Sequence, residues 1–347
     1  MRAAFIHVTN ACNLKCFHCA YSSGVPYKQE LPFNAIEKVA QIVRKNGGTS
    51  IMIGGGEPLL RNDIERILDM LSSYDLNIKL ETNLTVNPPI IQKLPKYRNL
   101  VVTTSIDSMK PDVHDCQRGA KGSFEKTRNH VIYLRNNGLP VRVNALMLKS
   151  NKDDINKYLN FAKKTGAVYR PLFRLIDIGR CSESKGGSLA LEPFEIQEIL
   201  DKLFVFARSE NNRKLVSFSL PPALIPPDLI ETLYECEWGR FIGVAANGTV
   251  ALCPAALDTK ELTGEKIEMY TSGRLELEEI SFVKYARTFD VDTLEGICGR
   301  CILRKACKGG CRVDSYTRYN SKTAPDPICE AFYNAGLFPK YALDVDN

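Results

Sequence analysis

The chain lacks any long apolar run: nowhere in its 347 residues is there a stretch approaching the ~20 residues of a membrane-spanning helix. No leader is expected either, since Met1 to Thr9 is too short for a signal peptide. Charge of one sign is scarce too. The 46 Lys and Arg against 40 Asp and Glu leave a formal +6, a balance that calls for neither nucleic acid nor a membrane surface as partner. There is no internal repeat and no long low-complexity tract, which sets aside solenoids and linker-like chains. What is abundant is cysteine. Twelve thiols in a chain without a secretion signal read as metal ligands and not as disulfides, so a reducing cytoplasm is the expected compartment.

From Ala3 to about Gly179, short apolar runs alternate with amphipathic ones, the pattern of repeated strand–helix units in an α/β fold. Strands are predicted at Ala3–Val8, Ser50–Ile53, Asn77–Glu81, Leu100–Ile106, Val141–Leu148 and Val168–Ile178. Helices are predicted at Asn34–Lys45, Arg61–Ser72, Pro89–Leu94, Phe124–Asn136, Asp153–Lys164 and Pro193–Ala207. Asn46-Gly47, Asn137-Gly138 and Thr165-Gly166 fall where helices should end. Six such units make an open, partial version, (β/α)6, of the eight-unit TIM barrel, whose functional groups collect at the C-terminal ends of the strands. Pro221-Pro222 and Pro226-Pro227 then break regular structure. The expected organisation is a barrel over 1–208, a bridge over 209–235 and a second unit over 236–347.

The first strand runs into Cys12-Asn13-Leu14-Lys15-Cys16-Phe17-His18-Cys19. Three thiols in one short loop can converge on one cluster, one fewer than the four that usually hold a 4Fe-4S centre, which leaves an iron open. Zinc or a redox pair is the alternative. After the second strand comes Gly54-Gly55-Gly56-Glu57-Pro58, where glycines permit close backbone approach; a tight turn with a helix-start proline is the plainer reading. Thr82-Asn83 and Ser105-Ile106-Asp107 end the third and fourth strands. They are either ligand contacts or ordinary strand-end turn residues. Arg118 has the fork for a bidentate carboxylate contact, and Gly179-Arg180 offers a second one.

Seven more cysteines lie in the last third: Cys236, Cys253, then Cys298-x2-Cys301-x5-Cys307-x3-Cys311, and Cys329. Gly243 to Leu252, centred on Asn247-Gly248, reads as a hairpin returning Cys253 toward Cys236. Paired cysteines also occur in zinc ribbons, so zinc is again the alternative. Cys116 and Cys181 are left over. As a pair they read either as small buried hydrophobes or as one hydrogen-atom donor at the barrel mouth, with Cys181 the better placed.

The CxxxCxxC octet resembles the signature of the radical SAM superfamily, and the seven-cysteine pattern resembles the SPASM extension carried by some of its members. The resemblance implies S-adenosyl-L-methionine bound to the open iron of a 4Fe-4S cluster held by Cys12, Cys16 and Cys19, and cleavage to a 5'-deoxyadenosyl radical that takes hydrogen from a substrate. It places His18 beside the adenine, gives Gly55, Gly56, Glu57 and Pro58 the methionyl amino group, and gives Arg118 the carboxylate. Ser105, with Thr82, Asn83 or Asp107, would touch cofactor or substrate, and Asn144 and Leu175 the ribose and adenine. It implies a small α+β SPASM domain with two auxiliary iron-sulfur clusters. Cys298, Cys301, Cys307 and Cys329 would hold the outer one, and Cys236, Cys253 and Cys311 the inner one. The stretch before Cys236 lacks the further cysteine of full sets, so an open iron, another ligand or a smaller nuclearity is expected there.

By resemblance the substrate is a peptide or small protein that is cross-linked, epimerised or oxidised, and the partners are a flavodoxin or ferredoxin donor and a separate peptide-recognition protein, since no winged-helix domain precedes the first strand. Tetrapyrrole side-chain chemistry of the haem-pathway kind is the alternative. A non-catalytic iron-sulfur carrier or a zinc scaffold is the alternative of another class.

Overall fold

The computed structural model describes residues 3–183, 189–209, 211–234, 241–256, 262–272 and 281–344. Six parallel strands form its centre: β1 Ala3–Thr9, β2 Ser50–Gly55, β3 Asn77–Glu81, β4 Leu100–Ser105, β5 Val141–Leu146 and β6 Val168–Leu172. Each pairs with its sequence neighbour, from Ala3 against Ser50 through Asn144 against Arg170. Helices cross between them: α1 Phe33–Lys45, α2 Ile64–Ser73, α3 Pro88–Lys93, α4 Pro111–Arg118, α5 Ser123–Asn136 and α6 Ile155–Thr165. β1 reads as a near-continuous apolar run because it is covered on both faces, and from Ala4 to Thr9 every residue is buried. α1 turns Ala35, Ile36, Val39, Ala40 and Val43 inward at helical spacing. Gly47, Gly138 and Gly166 end their helices with φ of 70–80°.

Three features depart from expectation. The stretch before Gly119 is helical, with Pro111 at its first turn and Gly119 in the left-handed conformation at its end. β6 stops at Leu172, and Phe173 to Ile178 run on without strand pairing. The third departure concerns the boundary expected near 236. β7 (Phe241–Val244) pairs in parallel with β1, and β8 (Thr249–Ala251) and β9 (Thr263–Lys266) follow antiparallel, giving one sheet ordered β6-β5-β4-β3-β2-β1-β7-β8-β9. The β7–β8 connection is the expected Asn247-Gly248 hairpin. One apolar core runs from Ile6 and Ile53 through Leu203 and Phe218 to Val250, Phe282 and Phe332, so neither sheet nor core breaks at that boundary.

After β6 come α7 (Arg180–Glu183) and α8 (Pro193–Arg208), whose Phe204 packs on Phe218 of the bridge with ring centroids 5.3 Å apart. β6, the outer parallel strand, is covered in part by that bridge, where the Ser217 N–H donates to the Tyr169 carbonyl.

Candidate active site

The cysteine loop is clasped from three sides at the strand ends. Within it, the Cys12 N–H donates to Gly24 O and the Gly24 N–H to Asn10 O. At the end of β3, Asn13 bonds Thr85 (2.8 Å) and Asn83 donates to Asn13 Oδ1 (2.9 Å). The last turn of α4 accepts the N–H groups of Lys15 and Phe17. Beyond β6, the Arg180 guanidinium donates to Cys16 O (2.8 Å) and Ser23 O (2.7 Å), and its N–H donates to Cys19 O. Arg180 lines the cavity at the strand ends, and these donors also tie it to the loop.

The glycines after β2 serve the same closure. A Cβ added at Gly55 would lie 2.3 Å from Thr9 O, and one at Gly56 2.2 Å from Ala11 O. Close approach is therefore required, though toward the backbone of the cysteine loop. Glu57 is fully buried. Leu59 N–H and Thr82 Oγ1 donate to its Oε1 (2.9 and 2.7 Å), and Asn83 N–H to its Oε2 (2.7 Å). Its carboxylate thus ties β2 to β3 and is not presented to a ligand. Burial, working against those three donors, pushes its pKa up to about 7.

Cys12, Cys16 and Cys19 line one cavity of about 330 Å³ at the C-terminal strand ends. The same cavity is lined by His18, Gly55, Gly56, Thr82, Asn83, Ser105, Asp107, Arg118, Asn144 and Leu175. Of the expected cofactor residues, Glu57 and Pro58 stand behind its wall. The hydrocarbon side is Leu146, Leu172, Leu175 and Ile178. Cys181, the candidate hydrogen donor, is 2% exposed and packs with Leu146, Leu148 and Leu175, behind the lining and not in it; Cys116 is exposed on α4.

Electrostatically the cavity centres on Asp107. Its Oδ2 lies 2.7 Å from Arg118 Nη2 and 3.4 Å from His18 Nε2, and its Oδ1 accepts the Leu146 N–H at 3.2 Å. Burial disfavours the charged carboxylate, yet Arg118 and the neighbouring imidazoles hold Asp107 below the usual carboxylate range. His18 goes the other way: burial pulls it down to about 4, so its ring is neutral at pH 7. Arg118 also aims Nη1 at Cys16 Sγ (3.7 Å), and Asn83 Nδ2 faces Cys12 Sγ (3.9 Å). The arginine expected to grip a carboxylate is thus already paired, and Asp107 is its partner. Buried atoms here without a hydrogen-bond partner include His18 Nδ1 and Arg118 Nε. Three cysteines, polar atoms with unused capacity and a cavity open to strand-end groups fit a cluster with S-adenosyl-L-methionine on its open iron.

The second group of thiols is equally convergent. Cys298, Cys301, Cys307 and Cys329 line one small cavity with Asp326, Leu303, Ile297 and Phe338. Burial raises the Cys298 thiol to about 11 and Cys307 to about 12, values at which thiolates require a metal to offset desolvation. Among the described residues no three Cys, His, Asp or Glu side chains are set to ligate a single metal ion. Cys253 and Cys311 lie outside that cavity, and Cys236 lies outside the described residues.

Asp326 organises this region. Its N–H donates to Cys298 Sγ (3.2 Å), its Oδ1 caps helix Pro327–Asn334 through the Ile328 and Cys329 N–H groups, and its Oδ2 accepts the Cys311 N–H (3.0 Å). The same Oδ2 lies 2.5 Å from Arg174 Nη2, while Arg174 Nη1 reaches Asp314 at 2.9 Å. Arg174 lines the first cavity, so one side chain joins the two cysteine centres. It was not singled out in the sequence.

The profile of the Radical SAM superfamily matches residues 6–162. The chain is 27% identical to "Mycofactocin maturase MftC" of Mycolicibacterium smegmatis over 338 residues, 96% of this chain and 83% of that protein. It is 26% identical to "AdoMet-dependent heme synthase" of Methanosarcina barkeri over 334 residues, 93% of this chain and 94% of that protein. Among solved structures, Streptococcus suis SuiB bound to precursor peptide SuiA superposes with a TM-score of 0.73 at 16% identity, covering 95% of this chain and 76% of that one, a likeness of fold.

Proposed function

We propose, from the Radical SAM superfamily match over residues 6–162 and the likeness to its relatives, that the chain is an enzyme of the SPASM-bearing branch of that superfamily and that it modifies a side chain of a peptide or small protein by cross-linking, epimerisation or oxidation. The observation that carries this reading is the mycofactocin maturase likeness along 96% of the chain. When bound, S-adenosyl-L-methionine on the cluster's open iron supplies, on one-electron reduction, a 5'-deoxyadenosyl radical able to take hydrogen from an unreactive carbon.

The chain's own part is placement. Cys12, Cys16 and Cys19 would hold the cluster by three of its irons, with the fourth free for the cofactor. Arg118 and Asn83 face the Cys16 and Cys12 sulfurs, contacts that would shift the potential of a cluster held there. The Asp107–Arg118–His18 group would present fixed, oriented charge to a cofactor bound in the cavity, and Gly55 and Gly56 keep the loop seated. Leu146, Leu172, Leu175 and Ile178 exclude water from the reacting side.

We assign an outer auxiliary cluster to Cys298, Cys301, Cys307 and Cys329 and an inner one to Cys236, Cys253 and Cys311. These would pass electrons between the substrate and a flavodoxin- or ferredoxin-type donor in a reducing cytoplasm, with a separate recognition protein delivering the peptide. Among the described residues no helix is long and apolar enough to cross a membrane. The second reading is tetrapyrrole side-chain modification, favoured by the match over 94% of the haem synthase's own length.

Anaerobic reconstitution tests the class. Wild type is expected to hold about three clusters per chain by its cysteine sets and to form 5'-deoxyadenosine on reduction. Cys16→Ala is expected to lose the deoxyadenosine while retaining the C-terminal iron. Zinc in place of iron, or deoxyadenosine unaffected by the substitution, would sink the assignment. Precursor peptides and porphyrinogens as added substrates then separate the two readings.

A further inference from the structure

Beside the cofactor cavity, the inward face of the sheet is charged where a buried parallel sheet is usually apolar. Pairing sets Glu81 of β3 against Thr103 of β4 and Thr103 against Arg142 of β5; one step along, Asn144 of β5 lies against Arg170 of β6. Lys79, two residues before Glu81, shares its face. The cations gather on one ring. Arg170 lies 4.4 Å, Arg142 5.4 Å and Lys79 5.9 Å from the centroid of Tyr234.

Arg170 is 6% exposed and its Nε donates to Asn144 Oδ1 at 2.9 Å. Arg142 Nε is buried without a hydrogen-bond partner. Among the described residues neither guanidinium has a carboxylate oxygen within 4.0 Å. Glu81 is the acid that faces them, and burial keeps its own carboxyl above the usual range against the pull of all three cations. With Arg170 buried and Arg142 half-buried on one face, cations set this close favour an anion beside them, and the donor geometry of arginine is what a carboxylate completes. Glu81, Thr103 and Asn144 also line the cofactor cavity, so an anion held here would be continuous with the reaction site.

We propose that this face of the partial barrel is the subsite for a carboxylate of the substrate, gripped by Arg142 and Arg170 over the ring of Tyr234. It rests on the reading of the adjoining cavity as the reaction site and narrows its substrate to one that carries an acidic group near the reacting carbon. A peptide carboxylate and a tetrapyrrole propionate share that chemistry.

The test is anaerobic calorimetry on the reconstituted holoenzyme with three probes: succinate, N-acetyl-glycylglycine as free acid or amide, and coproporphyrin as free acid or methyl ester. Succinate is expected to bind wild type and to bind Arg142→Gln and Arg170→Gln about tenfold or more weakly. Loss of binding on amidation identifies a peptide carboxylate, and loss on esterification a propionate; either supports the subsite. Equal succinate affinity in wild type and variants, or no binding of any free acid to wild type, overturns it. The ligand-free variants are expected to melt at or above the wild-type temperature, because each relieves cation repulsion; a large fall would mark the arginines as structural and also overturn the proposal. Deoxyadenosine formation by wild type in the same preparation separates the two readings. Its presence without carboxylate binding removes the subsite alone, and its absence removes the reading beneath it.

Discussion

Replacing Arg174 by methionine keeps much of the side chain's bulk and removes the cation between Asp314 and Asp326. The arginine side chain is 16% exposed, and the two carboxylates are 3% and 0% exposed, so water cannot take over its role. Taking one partner from a buried ion pair costs about 3–5 kcal/mol, mostly because the remaining charge is left uncompensated. Asp326 keeps the Ile328, Cys329 and Cys311 N–H donors, and Asp314 keeps the Arg318 guanidinium at 3.1 Å. The lower part of that range, about 3 kcal/mol, is therefore expected for Arg174→Met. Urea unfolding of the reconstituted protein, followed by fluorescence with the cluster absorbance read in parallel, measures it. Arg174→Lys should fall between wild type and Arg174→Met, since a point charge cannot fork between two acids. A loss below about 1 kcal/mol for Arg174→Met, a value typical of exposed pairs, would refute the idea that this bridge braces the two centres.

Two further outcomes follow from the cavity wall. The unfolded chain releases the Glu57 proton near 4.5 and the folded chain near 7, so folding retains a proton between those values and stability falls as pH rises through that window, by roughly 3 kcal/mol. Subtracting the pH–stability curve of Glu57→Gln should isolate that slope; parallel curves would show that the buried carboxyl ionises normally. Gly56→Ala drives a Cβ toward Ala11 O, and is expected to lose about 1–3 kcal/mol of stability and to lower N-terminal iron content, while Gly24→Ala, with nothing within 4 Å, is expected to do neither. Equal iron in the two variants would remove the claim that close packing seats the loop.

Much of this was legible because it depends on local pattern. The six strand–helix units start within a few residues of where periodicity puts them, and the strand-end residues gather as barrel geometry requires. Pro111 and Gly119 bracket a helix by the ordinary start and stop rules, and their signal was present in the sequence. The partnership of Arg118 with Asp107 and the use of Arg180 as a loop clasp were not legible, because each depends on which of several nearby acceptors a flexible cation meets after folding. The same holds for Arg174, whose partners lie 140 and 152 residues away. The continuous sheet was hidden for another reason: pairing between β1 and β7 leaves no mark in either strand. Lys79, Arg142 and Arg170 did leave one. Each interrupts an otherwise buried parallel strand at alternating spacing, a departure that was visible beforehand.

The position of β1 has a consequence for how the chain must be made. Residues 3–6 are paired on one side by 50–53, which emerge early from the ribosome, and on the other by 241–244, which emerge late. For most of synthesis, the strand that leads into the cysteine loop therefore has one open edge, and such edges invite pairing with other chains. The early thiols wait beside that edge for the C-terminal third. Contacts of such long sequence separation also slow folding, so the order of events on the nascent chain, and the chaperones and assembly factors that guard it, bear on whether the finished enzyme receives its iron at all.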